Sequence, residues 1–313
     1  MRTNLLLGTV LAAGLSWTAA VPASAAQGPD NGRISFSRFD PSIGARTIWV
    51  ADSDGRKPEQ LVTGSFSDWS PDGTRIAFDF EDGTDSHIAT IGVDGQRRMT
   101  LTSEPGIQDS LDWSPDGQWV AFNAEDRSLP FFSTSIWMVR ADGTDARRVT
   151  SGGFDVEPVF SPDSRQIAFT RIVADGDDDH PQVNSLHVVN TDGSGLREVV
   201  PPRAGLEHPD WSPDGNWLGF NIDPGNRQLA DSGALVAVRP DGKALHVLRA
   251  RTADLGFFKI AWSPDGKRLL MGCFDSRVQR DRLCTSTAGG GGVRPIQMAD
   301  NSWVNHPAWG PMP

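Results

Sequence analysis

Cysteine is almost missing from these 313 residues: there are two, Cys273 and Cys284, enough for one disulfide at most. Long apolar runs are missing too. The most apolar stretch, Leu5 to Leu15, is too short to cross a bilayer, and no cysteine follows it to carry a lipid anchor. Positive charge is in deficit, with 29 Lys and Arg against 40 Asp and Glu and a formal net charge of −11. That balance argues against a nucleic-acid or anionic-membrane partner, and is compatible with a cation, a basic partner or simple solubility. No G-x-S-x-G elbow and no H-E-x-x-H pair occurs, which excludes the commonest serine-hydrolase and zinc-peptidase arrangements.

The amino terminus reads as a secretory leader. Arg2 precedes the apolar run, and Ala23-Ser24-Ala25 offers small residues where a signal peptidase cuts. Cleavage after residue 25 leaves Ala26 first and takes the formal charge from −11 to −12, since Arg2 is lost. Such a chain is secreted, to the periplasm or beyond the cell. An oxidising compartment favours a Cys273–Cys284 disulfide, with two free thiols as the alternative.

What remains, residues 26–313, is dominated by a repeat. Trp69-Ser70-Pro71-Asp72-Gly73 recurs from Trp113, from Phe160 (with Ser164 in place of glycine), from Trp211 and from Trp262. A truncated copy, Trp309-Gly310-Pro311, ends the series. The aromatic positions are 44, 47, 51, 51 and 47 residues apart, the period of a four-stranded propeller blade. Proline fixes φ at the first turn position and Asp-Gly tolerates a positive φ, so each motif is a tight hairpin. Turn geometry accounts for these aspartates without a catalytic role. Midway through each unit a second strand runs into an Asp-Gly hairpin, as in Ile136-Trp137-Met138 before Asp142-Gly143. The sixth copy is degenerate, Leu283-Cys284 before Gly289-Gly290. Each unit thus holds strands a to d, with the aromatic ending a. The chain opens on a b strand, Ile34-Ser35-Phe36, and closes on an a strand, His306 to Trp309. Complementary ends close a ring, and the count is six. The expected fold is all-β, a six-bladed β-propeller of four antiparallel strands per blade.

The repeat of W-S-P-D-G, an apolar strand and a D-G hairpin resembles the TolB-like propellers over nearly the whole exported part. That resemblance implies the fold firmly and the function weakly. Similar blades serve periplasmic scaffold proteins, oligogalacturonate lyases and the propeller halves of prolyl-oligopeptidase-type enzymes. Family members can carry an α/β domain ahead of the propeller. Here six residues, Ala26 to Asn31, separate the leader from the first strand, so a propeller alone is expected.

Long, varied loops fall between b and c and between d and a, on the face opposite the Asp-Gly turns; variation on a rigid scaffold is where function is usually placed. Three residues before each motif aromatic stand Phe66, Ser110, Glu157, His208, Lys259 and His306, beside Asp109 and Glu207. An odd offset puts them on the other strand face from the aromatic, toward the mouth of the central channel. Three readings stay open there. His208, His306 and Glu157 suit a divalent metal, and the lyases of the family resemblance carry a histidine-based metal site at about this place. Ser110, Glu157, His208, Lys259 and His306 equally suit an anionic sugar or other organic ligand. They also suit a merely water-filled channel. Two loops add candidates: Asp175 to His180, an acidic insertion that takes Ca²⁺ or is simply solvated, and Leu129-Pro130-Phe131-Phe132, which stacks on a sugar, anchors a partner or packs down. The leading expectation is a monomeric, noncatalytic binding propeller for a protein or glycan. The rivals are a metal-dependent polysaccharide lyase-like enzyme and an envelope scaffold without a ligand.

Overall fold

A computed structural model of the chain describes residues 32–127, 133–174, 182–222, 233–297 and 304–312. The expected leader, Leu129 to Phe132 and Asp175 to His180 lie outside them. The strands assemble into six four-stranded antiparallel sheets. The first blade pairs the C-terminal a strand, Val304–Trp309, with Ile34–Asp40, Ala45–Ala51 and Glu59–Thr63. Its register couples Ile34 to Trp309 and Arg38 to Val304, which closes the ring as the complementary ends imply. The other five blades are continuous in sequence. Their a strands are Ser67–Trp69, Gln108–Trp113, Asp155–Phe160, Glu207–Trp211 and Leu255–Trp262.

The motif aromatics are the mortar between blades. Trp69 packs with Ile48 and Val50 of the first blade. Trp113 packs with Ala77 and Ile88 of the second. Phe160 and Trp211 repeat this against Ile136 and Leu186, and Trp309 against Leu270 and Leu283. Each large side chain taken out of water contributes about 3 kcal/mol, so adjacent blades cannot part without exposing one.

The turns interlock as well. In the second blade Ser70 Oγ donates to Asp72 Oδ1 at 2.6 Å, and Gly73 N–H donates to the Ser70 carbonyl at 2.8 Å. Gly73 has φ +67°, and a Cβ there would meet the ring of Pro311 at 3.1 Å. The truncated last motif therefore keeps the proline that the first complete turn packs on. The Ser–Asp hydrogen bond holds the Asp72 carboxyl below the usual carboxylate range, and the same bond from Ser161 and Ser212 does so for Asp163 and Asp214. These aspartates are turn staples.

Cys273 and Cys284 form a disulfide between the b and c strands of the sixth blade, with Cα atoms 6.0 Å apart and both residues fully buried. They are diagonal neighbours: the register pairs Cys284 with Met271 and Cys273 with Arg282.

Candidate binding site at the channel mouth

Every a strand except the second blade's breaks its register two to four residues before the aromatic. The residue at the break sits in the left-handed region: Ser110 at φ 50°, Glu157 at 57°, His208 at 54°, Lys259 at 41° and His306 at 48°. A β-bulge with a left-handed residue, rather than simple alternation, is what turns these five side chains. None is glycine, and each such residue costs about 1 kcal/mol or more of backbone strain. The sixth position, Phe66, keeps an ordinary φ and is held by Asp79, which accepts from the Ser65 and Phe66 N–H groups.

The bulges bring the residues together. Phe66, Ser110, Glu157, His208 and Lys259 line one cavity of about 120 Å³ in the channel. The imidazole of His306 stacks edge-on against Phe66, ring centres 4.0 Å apart, and lies 6.2 Å from that of His208. Lys259 Nζ stands 5.9 Å from the Phe66 ring. His208 Nε2 faces Glu157 Oε1 at 3.1 Å, while Nδ1 contacts Asn221 Oδ1 at 3.2 Å. Glu157 Oε2 accepts from His208 N–H at 2.7 Å and from Thr170 Oγ1 at 3.2 Å. Asp109 is engaged by the Asn123 amide, and burial raises its pKa. Burial, then the nearby Lys259, His208 and Arg46 charges, drives the His306 pKa well below that of an ordinary histidine, so its ring is neutral.

Both Glu157 oxygens are already committed, and His208 turns Nε2 toward Glu157. Among the described residues no three His, Cys, Asp or Glu side chains converge as a ligand group.

Deeper in the same cavity is a second ring that the sequence reading passed over. Asp68, Asp112 and Asp210 each stand immediately before a motif tryptophan. Each carboxylate accepts the N–H of the next blade's aromatic: Asp68 from Trp113 at 2.8 Å, Asp112 from Phe160 at 2.7 Å and Asp210 from Trp262 at 2.7 Å. Burial raises Asp68 to about 6 and Asp210 to about 7. Asp112 is also well above its usual value, through burial and the neighbouring Asp68 charge. Lys259 opposes all three shifts. The signal was available: three of the five full motifs read D-W-S-P-D-G, and taking the motif to start at tryptophan hid its first residue.

Residues 25–313 match the family model described as the TolB beta propeller domain. The Tol-Pal system protein TolB of Bordetella pertussis (strain Tohama I) is 42% identical over 134 residues, which take in 39% of this chain and 28% of that protein. The chain therefore spans well under two thirds of that relative's length. The crystal structure of TolB from Acinetobacter baumannii superimposes with a TM-score of 0.73 at 19% identity, over 91% of this chain and 68% of that one. An oligogalacturonate lyase in complex with manganese superimposes with a TM-score of 0.56 at 15% identity, over 86% and 74%. At these identities the structural likenesses show the fold alone.

Proposed function

The chain belongs to the TolB β-propeller domain family, and from that premise and the channel-mouth geometry we propose that it is a noncatalytic propeller that binds a protein through its loop face. The observation that carries this reading is the mouth itself. Four strained, non-glycine residues from four blades line one polar cavity, a fifth, His306, stands beside it against Phe66, and strain of this kind concentrates where a site is pre-organised. The surrounding face adds apolar contact area. Phe39, Ile43, Ile107, Val173 and Val278 are large, exposed and placed in or beside the b–c and d–a connections. Anchors of this type, around a polar centre, are what a protein interface uses.

The reading includes export of the chain. The leader at residues 1–25 and the buried disulfide fit an oxidising compartment outside the cytoplasm, and N-terminal sequencing of the exported chain is expected to begin at Ala26.

The test is differential capture from the envelope and medium of the producing cell. A Phe39→Asp/Val278→Asp variant is expected to lose a partner that the wild type and a turn-face control, Leu196→Asp, both retain. Equal capture by all three, with folding intact, would remove the loop face from the reading.

A further inference from the structure

Eleven residues after each motif aromatic lies one b-strand position, and in the third, fourth and sixth blades the register pairs it with the start of the blade's own a strand. The occupant differs from blade to blade. It is Phe80 in the second, Arg171 in the fourth, Ile222 in the fifth, the disulfide-bonded Cys273 in the sixth and Ala124, the smallest, in the third. In the first blade the corresponding residue is Arg38, paired with Val304.

Two of these blades hold a guanidinium at that place. The Arg38 guanidinium carbon lies 4.3 Å from the Trp49 ring centre and 5.2 Å from that of Phe36. Arg171 lies 5.6 Å from the Phe169 ring centre and makes a two-pronged pair with Asp155, 2.6 and 2.9 Å. The register pairs Asp155 with Arg171, and in the third blade it pairs Gln108 with Ala124.

The third blade keeps the rest of the pocket and lacks the arginine. Phe122 stands where Phe36 and Phe169 stand, and Trp137 where Trp49 stands. Gln108 is 3% exposed. Its Nε2 donates to the Glu104 carbonyl at 2.6 Å, which fixes the amide and leaves Oε1 without a hydrogen-bond donor. Around Ala124 is a cavity of about 530 Å³, lined by Gln108, Phe122 and Trp137, with Glu104, Glu125 and Asp126 among its other walls. That volume is in the range of small-ligand sites, roughly 300–1,000 Å³. The lining cation, Arg127, is tied to Glu125 at 3.2 Å and Asp85 at 3.3 Å, and Asp126 pairs with Arg148 at 2.9 Å, so among the described residues Glu104 is the wall carboxylate outside these ion pairs.

We propose that this groove between the second and third blades binds a guanidinium group, supplied from outside the chain where Arg38 and Arg171 supply it from within. An aromatic wall, a buried amide acceptor and the Glu104 carboxylate at the rim suit a planar, always-charged fork with five donors. The site is lined by none of the channel-mouth residues and does not rest on the reading of that mouth.

The test follows the Trp137 indole N–H resonance, assigned with Trp137→Phe, during titration with methylguanidinium, an arginine-containing tetrapeptide and the matching citrulline peptide. Saturable shifts with the guanidinium probes and none with citrulline are expected. Tighter binding of the arginine peptide identifies a protein segment as the source, and equal binding identifies a small guanidino compound. Gln108→Leu should weaken binding about tenfold, and Ala124→Arg should abolish it while keeping a cooperative melt. If Ala124→Arg does not fold, Gln108→Leu and the citrulline arm still decide. No shift with either guanidinium probe, or an equal shift with citrulline, overturns the proposal.

Discussion

Asp68, Asp112 and Asp210 do two jobs: they stitch neighbouring blades and they place ionisable groups in the channel. Their raised pKa values make stability depend on pH in a direction opposite to that of an ordinary salt-bridged carboxylate. Between the usual 3.8 and about 6 to 7, the folded chain holds protons that the unfolded chain has released. Stability therefore falls as pH rises through that window. Asp79, also raised to about 6 by burial, acts in the same sense. His306 and His187, both lowered chiefly by burial, oppose them: below 6.5 the unfolded chain takes protons that the folded one refuses. The raised carboxylates outnumber these two, so Tm should rise as pH is lowered from about 8 to about 5. Below about 4 it should fall, as the hydrogen-bonded turn aspartates are forced to protonate. A triple Asp→Asn variant at 68, 112 and 210 keeps a side-chain oxygen to accept each backbone N–H, so it should fold and lose most of the rise. Calorimetry across pH checks this; a wild-type Tm that is flat or falling from pH 8 to pH 5 contradicts it. These residues were missed in the sequence because nothing about an aspartate before tryptophan reveals that it will sit inside a ring. Only blade packing around the channel desolvates it.

At the scale of the element, the turn and the bulge carry the design. The S-P-D-G hairpin was legible because its residues are the ones its backbone requires. One copy departs: Ser164 occupies the glycine position at φ 58°, and its Oγ accepts the Asp116 N–H of the preceding blade at 3.0 Å. The serine exchanges backbone strain for a bond between blades. Ser164→Ala loses the bond and keeps the strain, whereas Ser164→Gly loses both. The glycine variant should accordingly be the more stable of the two by about 1 kcal/mol, read from urea midpoints. An alanine variant equal to or more stable than the glycine variant would show that this turn is unstrained. The a-strand bulge, by contrast, was not legible. Glu157, His208 and Lys259 share no residue preference that marks a left-handed φ, and the positional match alone located them. Alternation gave a channel-facing direction, but the bulge, not the alternation, produces it.

For the whole molecule, repeat counting reached further than any single motif. The period and the complementary ends specified six blades and the closing pair of Ile34–Asp40 with Val304–Trp309. The ring in turn makes a mouth from residues that lie far apart in sequence: His306 touches Phe66 across 240 positions. What the sequence left open at that mouth was the chemistry. His208 and Glu157 face each other there and the Asn221 side chain contacts the second His208 nitrogen, and a histidine's availability depends on which neighbour holds its nitrogens, which no sequence pattern records.

The most direct measurement is site-specific photo-crosslinking in the producing cell, with the reactive residue placed at Phe39, Ile107 or Val278 on the loop face and at Leu196 or Leu245 on the turn face. A discrete crosslinked protein from the loop-face positions, the same one from at least two blades and none from the turn face, is the predicted result. Crosslinks confined to the turn face, or none from any loop-face position in a folded and exported protein, contradict the assignment of this propeller as a loop-face binder.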